Sequence, residues 1–211
     1  MELRQPVSAR LVPGASSWGI TRSRCWRATF FTVETIGLKT IYVLFFIELG
    51  TRRIHLAGCT ANPNVPWVTQ QARNLIWELE EEAQEKAYLI RDNDKKDPDA
   101  FDTVFASEGI EIVTIPYRAP RANAFAERWV RSVRGECLDR ILIVNERHLH
   151  RVLKEYIEYY NQARPHQGIG QQIPISGPER STVGPIHRRN VLGGIIHDYF
   201  RQPSDLVSGG G

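Results

Sequence analysis

Two acidic residues, Asp92 and Glu127, are the best candidates for chemistry in this 211-residue sequence. Asp92 follows the apolar run at 88–90, so it stands at the carboxyl end of a predicted strand, which is where α/β sheets bind ligands. Glu127 comes 35 residues later on a predicted helix, and Asn123 precedes it by one turn, so both could point at one site. Asp92 also belongs to an acid-rich segment, 71–111, that could hold a metal ion.

The charge pattern alone leaves two interpretations open. Residues 71–111 contain 12 acidic and five basic residues, whereas residues 118–151 contain eight basic and four acidic ones. Such blocks are typical of solvated helix faces, but they equally fit a basic surface for a polyanion beside a carboxylate-rich region. Asp92 could simply cap a turn, and Glu127 could pair with Arg131 one helical turn later.

The elements that must position these residues follow from the hydrophobic pattern. Three runs rich in β-branched and aromatic residues predict an antiparallel meander at 26–33, 40–48 and 53–59. Helices and strands then alternate before two final helices, with predicted bounds of 62–85, 88–90, 98–108, 110–115, 122–139 and 146–161. Antiparallel strands followed by crossover units make a mixed five-stranded sheet with helices on both faces. This is the architecture of the ribonuclease-H-like α/β fold.

The sequence divides into a leader, one core and a tail. Residues 1–24 contain several Pro, Ser and Gly and predict a disordered leader, whereas 25–168 predict the core. Residues 169–211 predict a Gly- and Pro-rich tail with one strand-like patch at 190–199. The longest apolar run, 41–47, is far shorter than the roughly 18 residues that a membrane helix needs, so no membrane partner is expected.

The cysteine pattern and the N-terminal residues indicate the cellular compartment of the protein. Cys25, Cys59 and Cys137 are far apart and odd in number, which disfavours a disulfide framework or a zinc cluster. The sequence does not begin with a charged-then-apolar signal segment. This pattern predicts a reducing, cytoplasmic location.

Three further blocks resemble one protein family. The stretch Ile115-Pro-Tyr-Arg-Ala-Pro-Arg-Ala-Asn-Ala-Phe-Ala-Glu-Arg-Trp-Val-Arg-Ser-Val-Arg134 resembles the glutamate-bearing helix of retroviral-type integrases and insertion-sequence transposases. Upstream, Trp26-Arg-Ala-Thr-Phe-Phe-Thr-Val-Glu34 is similar to their first strand. Downstream, Tyr160-Asn-Gln-Ala-Arg-Pro-His166 is similar to the tail signature of the insertion-sequence branch. The resemblance runs from about residue 25 to residue 168.

This resemblance implies metal-dependent phosphoryl transfer on DNA during integration or transposition. It makes Asp92 and Glu127 the second and third acids of a D,D(35)E site that holds two Mg²⁺ or Mn²⁺ ions. It also implies DNA as the partner and assembly as a homo-oligomer. A nuclease of the same fold fits less well, because the helix and the tail signature match recombinases.

The sequence departs from the family pattern at Thr29, where the first catalytic acid belongs. A hydroxyl cannot replace a carboxylate that bridges two cations, so affinity for hard cations should fall. Glu34 is a poor substitute because it lies five residues away, on the opposite face of the strand. We therefore expect a degenerate copy with impaired catalysis. The alternative is a non-catalytic DNA-binding module that retains the fold.

Basic side chains near the predicted site provide candidate DNA contacts. Arg128, Arg131 and Arg134 recur every three residues on the predicted Glu127 helix, and phosphate contact competes there with a plain solubilising role. Asn123, on the same helix, is a further candidate for contact with nucleic acid. Arg164, in the tail signature, could contact phosphate or instead fix the C-terminal segment.

Overall fold

The computed structural model describes residues 24–78, 88–92, 99–115, 120–175, 181 and 183–201. Within these ranges, the side chains at positions 92, 99, 115 and 120–123 lie outside the description. The predicted leader lies almost wholly outside the described residues, so its disorder stays a prediction. No helix in the described part of the chain is long and apolar enough to cross a membrane.

The centre of the fold is a mixed five-stranded sheet, as predicted. Its strands are β1 Cys25–Glu34, β2 Thr40–Glu48, β3 Ile54–Thr60, β4 Tyr88–Asp92 and β5 Glu111–Ile115. They are arranged in the order β3-β2-β1-β4-β5, with β1 in the middle. The first three strands are antiparallel, whereas β4 and β5 run parallel to β1. This topology, with helices on both faces, confirms the ribonuclease-H-like α/β fold.

Within the described ranges, four α-helices cover the two faces of the sheet. They are α1 Val65–Glu78, α2 Asp99–Ser107, α3 Pro120–Glu136 and α4 Glu146–Gln162. At the start of α4, the side chain of Asn145 accepts a hydrogen bond from the backbone N–H of His148, which caps the helix. Gly109 follows α2 with a φ of 75°, a left-handed conformation that glycine adopts without steric cost and that ends the helix.

Alternation along β1 determines which pair of helices each of its residues meets. Phe31 and Val33 belong to the core cluster shared with α3 and α4, whereas Trp26 and Ala28 belong to the cluster shared with α1 and α2. Trp129 of α3 is fully buried in the first cluster, with its ring centroid 5.5 Å from that of Phe31. Odd-numbered positions of β1 therefore face α3 and α4.

The C-terminal tail contains a hairpin where the sequence predicts one strand-like patch at 190–199. Strands β6 Ile186–Val191 and β7 Ile196–Arg201 pair antiparallel as a separate two-stranded sheet. Gly193 and Gly194, with φ of 64° and 98°, reverse the chain in the middle of the predicted strand. Val191 and Leu192 are buried in the α3–α4 cluster, so the hairpin packs on the core.

Candidate active site

Thr29 lies in the middle of the central strand. It is half-buried and pairs with Phe45 of β2. On the other side, the parallel register joins Arg27 to Ile90, and continuing it by two residues places Thr29 level with Asp92. Asp92 is the last residue of β4 and pairs with Ile115 of β5. Arg27–Ile90 is the last pair of this register, so the neighbouring positions of Thr29 and Asp92 follow from its extension by two residues.

Glu127 is exposed on a flank of α3. Arg134 lies two turns later on the same flank, about 10 Å along the helix axis. Its Nη2 atom donates a hydrogen bond of 2.7 Å to the backbone carbonyl of Thr32 in β1. The Glu127 flank of α3 therefore follows β1. Because the side chains of Asp92 and Asn123 are outside the described residues, the convergence of the two acids and of Asn123 stays a prediction.

A buried arginine lies beside Thr29. Arg27 is 1% exposed and precedes Thr29 by two residues, so both side chains face α3 and α4. Burial of a guanidinium is rare unless an anion compensates it, because removing a charge from water is costly. Sequence reasoning missed this residue. The available signal was an arginine inside an otherwise apolar central strand, at even separation from Thr29.

The donor set around Thr29 does not fit a two-ion Mg²⁺ centre. In the described part of the chain, no group of three or more His, Cys, Asp or Glu side chains could hold a metal ion. If the acids converge there as predicted, Glu127 would contribute one carboxylate and Thr29 a neutral hydroxyl, and the neighbouring Arg27 guanidinium would contribute no anionic oxygen. Two divalent ions need anionic oxygen ligands, and even with Asp92 the set is one carboxylate short of three.

The three arginines of α3 have different surroundings. Arg128 and Arg131 are exposed. Gly168 lies beside the guanidinium of Arg128, since a side chain at position 168 would begin 3.8 Å from Nη1. Arg134 is half-buried, and besides its hydrogen bond to β1 it lies 5.9 Å from the centre of the Phe31 ring. Arg128 and Arg131 therefore offer their charge to solvent, whereas Arg134 also joins α3 to the sheet.

Arg52 is a second basic residue near α3 that sequence reasoning did not single out. It lies in the connection between β2 and β3, and its guanidinium carbon is 3.6 Å from the centre of the Phe125 ring. It also donates a hydrogen bond to the backbone carbonyl of Leu49. Phe125 precedes Glu127 by two residues, so Arg52 adds positive charge beside the N-terminal half of α3.

Arg164, in the tail signature, makes intramolecular contacts. Its Nε and Nη2 atoms donate hydrogen bonds of 3.0 and 2.6 Å to the two carboxylate oxygens of Glu136, at the end of α3. The hydroxyl of Tyr156 donates to the same carboxylate at 2.9 Å. Burial raises the pKa of Tyr156, and the negative charge of Glu136 adds to that shift. The network therefore connects α3, α4 and the segment after α4.

Asn161 and His166 hold the same segment in place. The buried side chain of Asn161 accepts a hydrogen bond of 2.9 Å from the backbone N–H of Ile54 and donates one of 2.8 Å to its carbonyl. His166 is buried, and Nε2 lies 3.2 Å from the carbonyl oxygen of Tyr160. Burial lowers the pKa of His166. These contacts favour the structural interpretation of the signature.

Comparison with known proteins adds a partial family match. Residues 108–174 match the integrase core domain family. The matched range includes Glu127 and the tail signature but begins after Thr29 and Asp92. A search of curated protein sequences gives no significant match.

Solved structures with the same fold include retroviral integrases. A chain of the simian T-cell lymphotropic virus intasome, solved in complex with PP2A regulatory subunit B56 gamma, is 11% identical with a TM-score of 0.57, and the match covers 94% of this chain and 73% of that one. The HTLV-2 integrase catalytic core domain, solved with magnesium in a dimeric form, is 13% identical with a TM-score of 0.50, over 75% of this chain and 99% of that one. At these identities the likeness shows the fold. Together with the family match, it supports an integrase-type domain.

Proposed function

We propose that this chain is a DNA-binding, integrase-type domain and a degenerate copy of the polynucleotidyl transferases that act in DNA integration or transposition. The observation that carries the proposal is the arrangement around Thr29. The fold is that of the family, and Glu127 is exposed on α3, but position 29 carries a hydroxyl and a buried arginine lies two residues away, where the proposed reaction would need negative charge. The family resemblance implies Mg²⁺ or Mn²⁺ ions, which Asp92 and Glu127 would hold and which would supply activation of the attacking oxygen and stabilisation of the leaving one.

The residues of this chain support DNA contact better than they support catalysis. Arg128 and Arg131 present positive charge to solvent beside Glu127, which suits contact with phosphate groups. Asn123 is a further candidate contact on α3. Arg134 and Arg164 each retain donors beyond their intramolecular hydrogen bonds, but we assign them mainly to holding the fold.

A non-catalytic DNA-binding module is the second candidate function, and Arg27 favours it. The buried guanidinium of Arg27 lies two residues from Thr29 and supplies no anionic oxygen to a cation bound at that position. In that case the fold serves to present α3 to DNA.

Duplex binding and strand transfer test the two candidates. The Arg128→Glu/Arg131→Glu variant should flatten the dependence of log affinity on log salt by about 1.8, since each phosphate contact contributes about 0.9. Arg73→Glu is the control, because Arg73 is exposed on α1, across the sheet from α3. An unchanged slope in the double variant would place the DNA contact elsewhere.

Strand transfer should be weak or absent in the native chain. If Thr29→Asp restores DNA cleavage with Mn²⁺, the chain is a degenerate enzyme. If a folded Thr29→Asp variant binds DNA but stays inactive, the non-catalytic module is the better description. Full activity of the native chain would contradict both proposals.

We also propose that the chain assembles as a homo-oligomer. The HTLV-2 integrase core domain was solved in a dimeric form. In this chain, Trp77 on α1 is 79% exposed, and tryptophan is enriched at protein–protein interfaces. Light scattering after gel filtration should give a mass above that of one chain. Trp77→Arg should reduce this mass if α1 is the contact, and a native monomer would contradict the proposal.

A further inference from the structure

The β6–β7 hairpin has one face on the core and one face in solvent. Paired residues of antiparallel strands point to the same face, so the pairs alternate between the two faces. The inner face contains the buried residues Val191 and Asp198, and Asp198 pairs with Arg189 at 3.2 Å. The outer face is formed by six residues, all exposed: Ile186, Arg188, Asn190, His197, Tyr199 and Arg201.

The hairpin is firmly anchored through its turn. Leu192 is 7% exposed, and its backbone N–H donates a hydrogen bond of 2.5 Å to a carboxylate oxygen of Glu155 on α4. Val191 is buried in the same core cluster. Isolated two-stranded hairpins are marginally stable, so these contacts are what hold the ribbon in one position. The outer face is therefore presented in a fixed orientation.

The outer face combines positive charge with an exposed aromatic ring and contains no acidic residue. Arg188 lies opposite Tyr199, and Arg201 is the diagonal neighbour of Arg188, about 7–8 Å away. Tyr199 is 58% exposed, and the His197 ring centroid lies 6.4 Å from its own. Arg201 donates a hydrogen bond to the carbonyl of Gly184, which steadies it while leaving other donors available.

We propose that the outer face of the β6–β7 hairpin is a second contact surface for duplex DNA. Arg188 and Arg201 contact neighbouring phosphate groups, and Tyr199 packs between them against the sugar or the base edges. Charge complementarity selects a polyanion, and a two-stranded ribbon fits the major groove of B-form DNA. This inference rests on the proposed DNA-binding function. It assigns a role to residues beyond the matched range 108–174.

Fluorescence anisotropy on a labelled duplex of random sequence tests the inference. Arg188→Gln/Arg201→Gln should flatten the slope of log affinity against log salt by about 1.8. Between 50 and 200 mM salt, the native chain should therefore lose about twelvefold more affinity than this variant. Arg188→Lys/Arg201→Lys conserves charge and should keep the native slope. Arg188→Gln alone, which leaves the contact of Arg201 with Gly184 intact, should give half the effect.

The outcomes separate this inference from the function on which it rests. If the glutamine pair leaves the slope unchanged while Arg128→Glu/Arg131→Glu flattens it, the hairpin contact is wrong and the proposed function stands. If the native chain does not bind duplex DNA at 50 mM salt, both are wrong. If the glutamine pair binds DNA normally but loses binding to phosphatidylserine vesicles, the partner of this face is a membrane, and the inference is overturned.

Discussion

The charge around Thr29 can be changed one step at a time. Thr29→Asp adds the carboxylate that the family resemblance implies at this position, and Thr29→Asn is the uncharged counterpart of that variant, of equal size. Arg27→Met removes the buried positive charge while keeping a long side chain, and Arg27→Lys retains the charge. We predict that Mn²⁺ affinity increases from the native chain to Thr29→Asp and again to the Thr29→Asp/Arg27→Met double variant.

The size of the Arg27 effect follows from the strand geometry. Positions 27 and 29 are two residues apart in β1, which corresponds to about 7 Å in an extended strand. At that separation, the repulsion between a unit charge and a divalent ion is about 5 kcal/mol for an effective dielectric constant of 20 and about 1 kcal/mol in water. Removing the charge should therefore tighten Mn²⁺ binding by roughly fivefold to a few thousandfold. Without Arg27→Met, Asp at position 29 would first pair with Arg27 and gain less.

Isothermal titration calorimetry with Mn²⁺ measures this series directly. Each variant is first compared with the native chain by circular dichroism, because a buried arginine is costly to replace when its compensating partner is left behind. Thermal unfolding with and without Mn²⁺ provides a second readout, since a ligand that binds only the folded state raises the unfolding temperature.

Two results would refute the charge argument. One is a native chain that binds Mn²⁺ as tightly as Thr29→Asp, since another group would then supply the charge. The other is a folded double variant that binds no better than Thr29→Asn, which would mean that Asp92 and Glu127 do not converge on Thr29.

Three further predictions concern the supporting structure. Asn161→Ala should lower the free energy of unfolding by about 2–4 kcal/mol in urea titrations, because it removes both hydrogen bonds to the backbone of Ile54. As the control, Gln162→Ala changes an exposed residue and should alter the free energy of unfolding by less than about 0.5 kcal/mol. Burial lowers the pKa of His166 from its ordinary value of 6.5, so the unfolded chain binds a proton more readily than the folded chain does. The free energy of unfolding should therefore decrease as the pH drops below about 6.5, and this decrease should be smaller in His166→Gln. All three cysteines are buried thiols, and burial raises the pKa of Cys59 and Cys137 to about 12. Ellman's reagent at pH 8 should therefore react with the cysteines only after unfolding, and rapid reaction of the folded chain would contradict this.

Local pattern was enough to predict the order of the elements. β-branched runs predicted the meander, and the period of 3.6 predicted α3 and α4 to within a few residues. The same periodicity placed Glu127 on a helix, where it is exposed. The hairpin was missed because Gly193 and Gly194 lie inside an apolar run, where a turn and a continuous strand have nearly the same local composition.

The long-range contacts around the candidate site could not be predicted from the sequence. The choice between phosphate contact and a structural role for Arg164 depends on Glu136, which lies 28 residues away in the chain, and Asn161 meets Ile54 across 107 residues. Burial of Arg27 depends on two layers of helices packing on the sheet.

The sequence by itself therefore determined the fold class and the absence of an acid at Thr29, because periodicity and residue type are local properties. Only the tertiary structure decided that a buried positive charge lies beside that position, that the tail signature holds the fold together, and that a basic ribbon faces solvent. These are properties of distant segments brought together, and only packing defines which charges lose their contact with water.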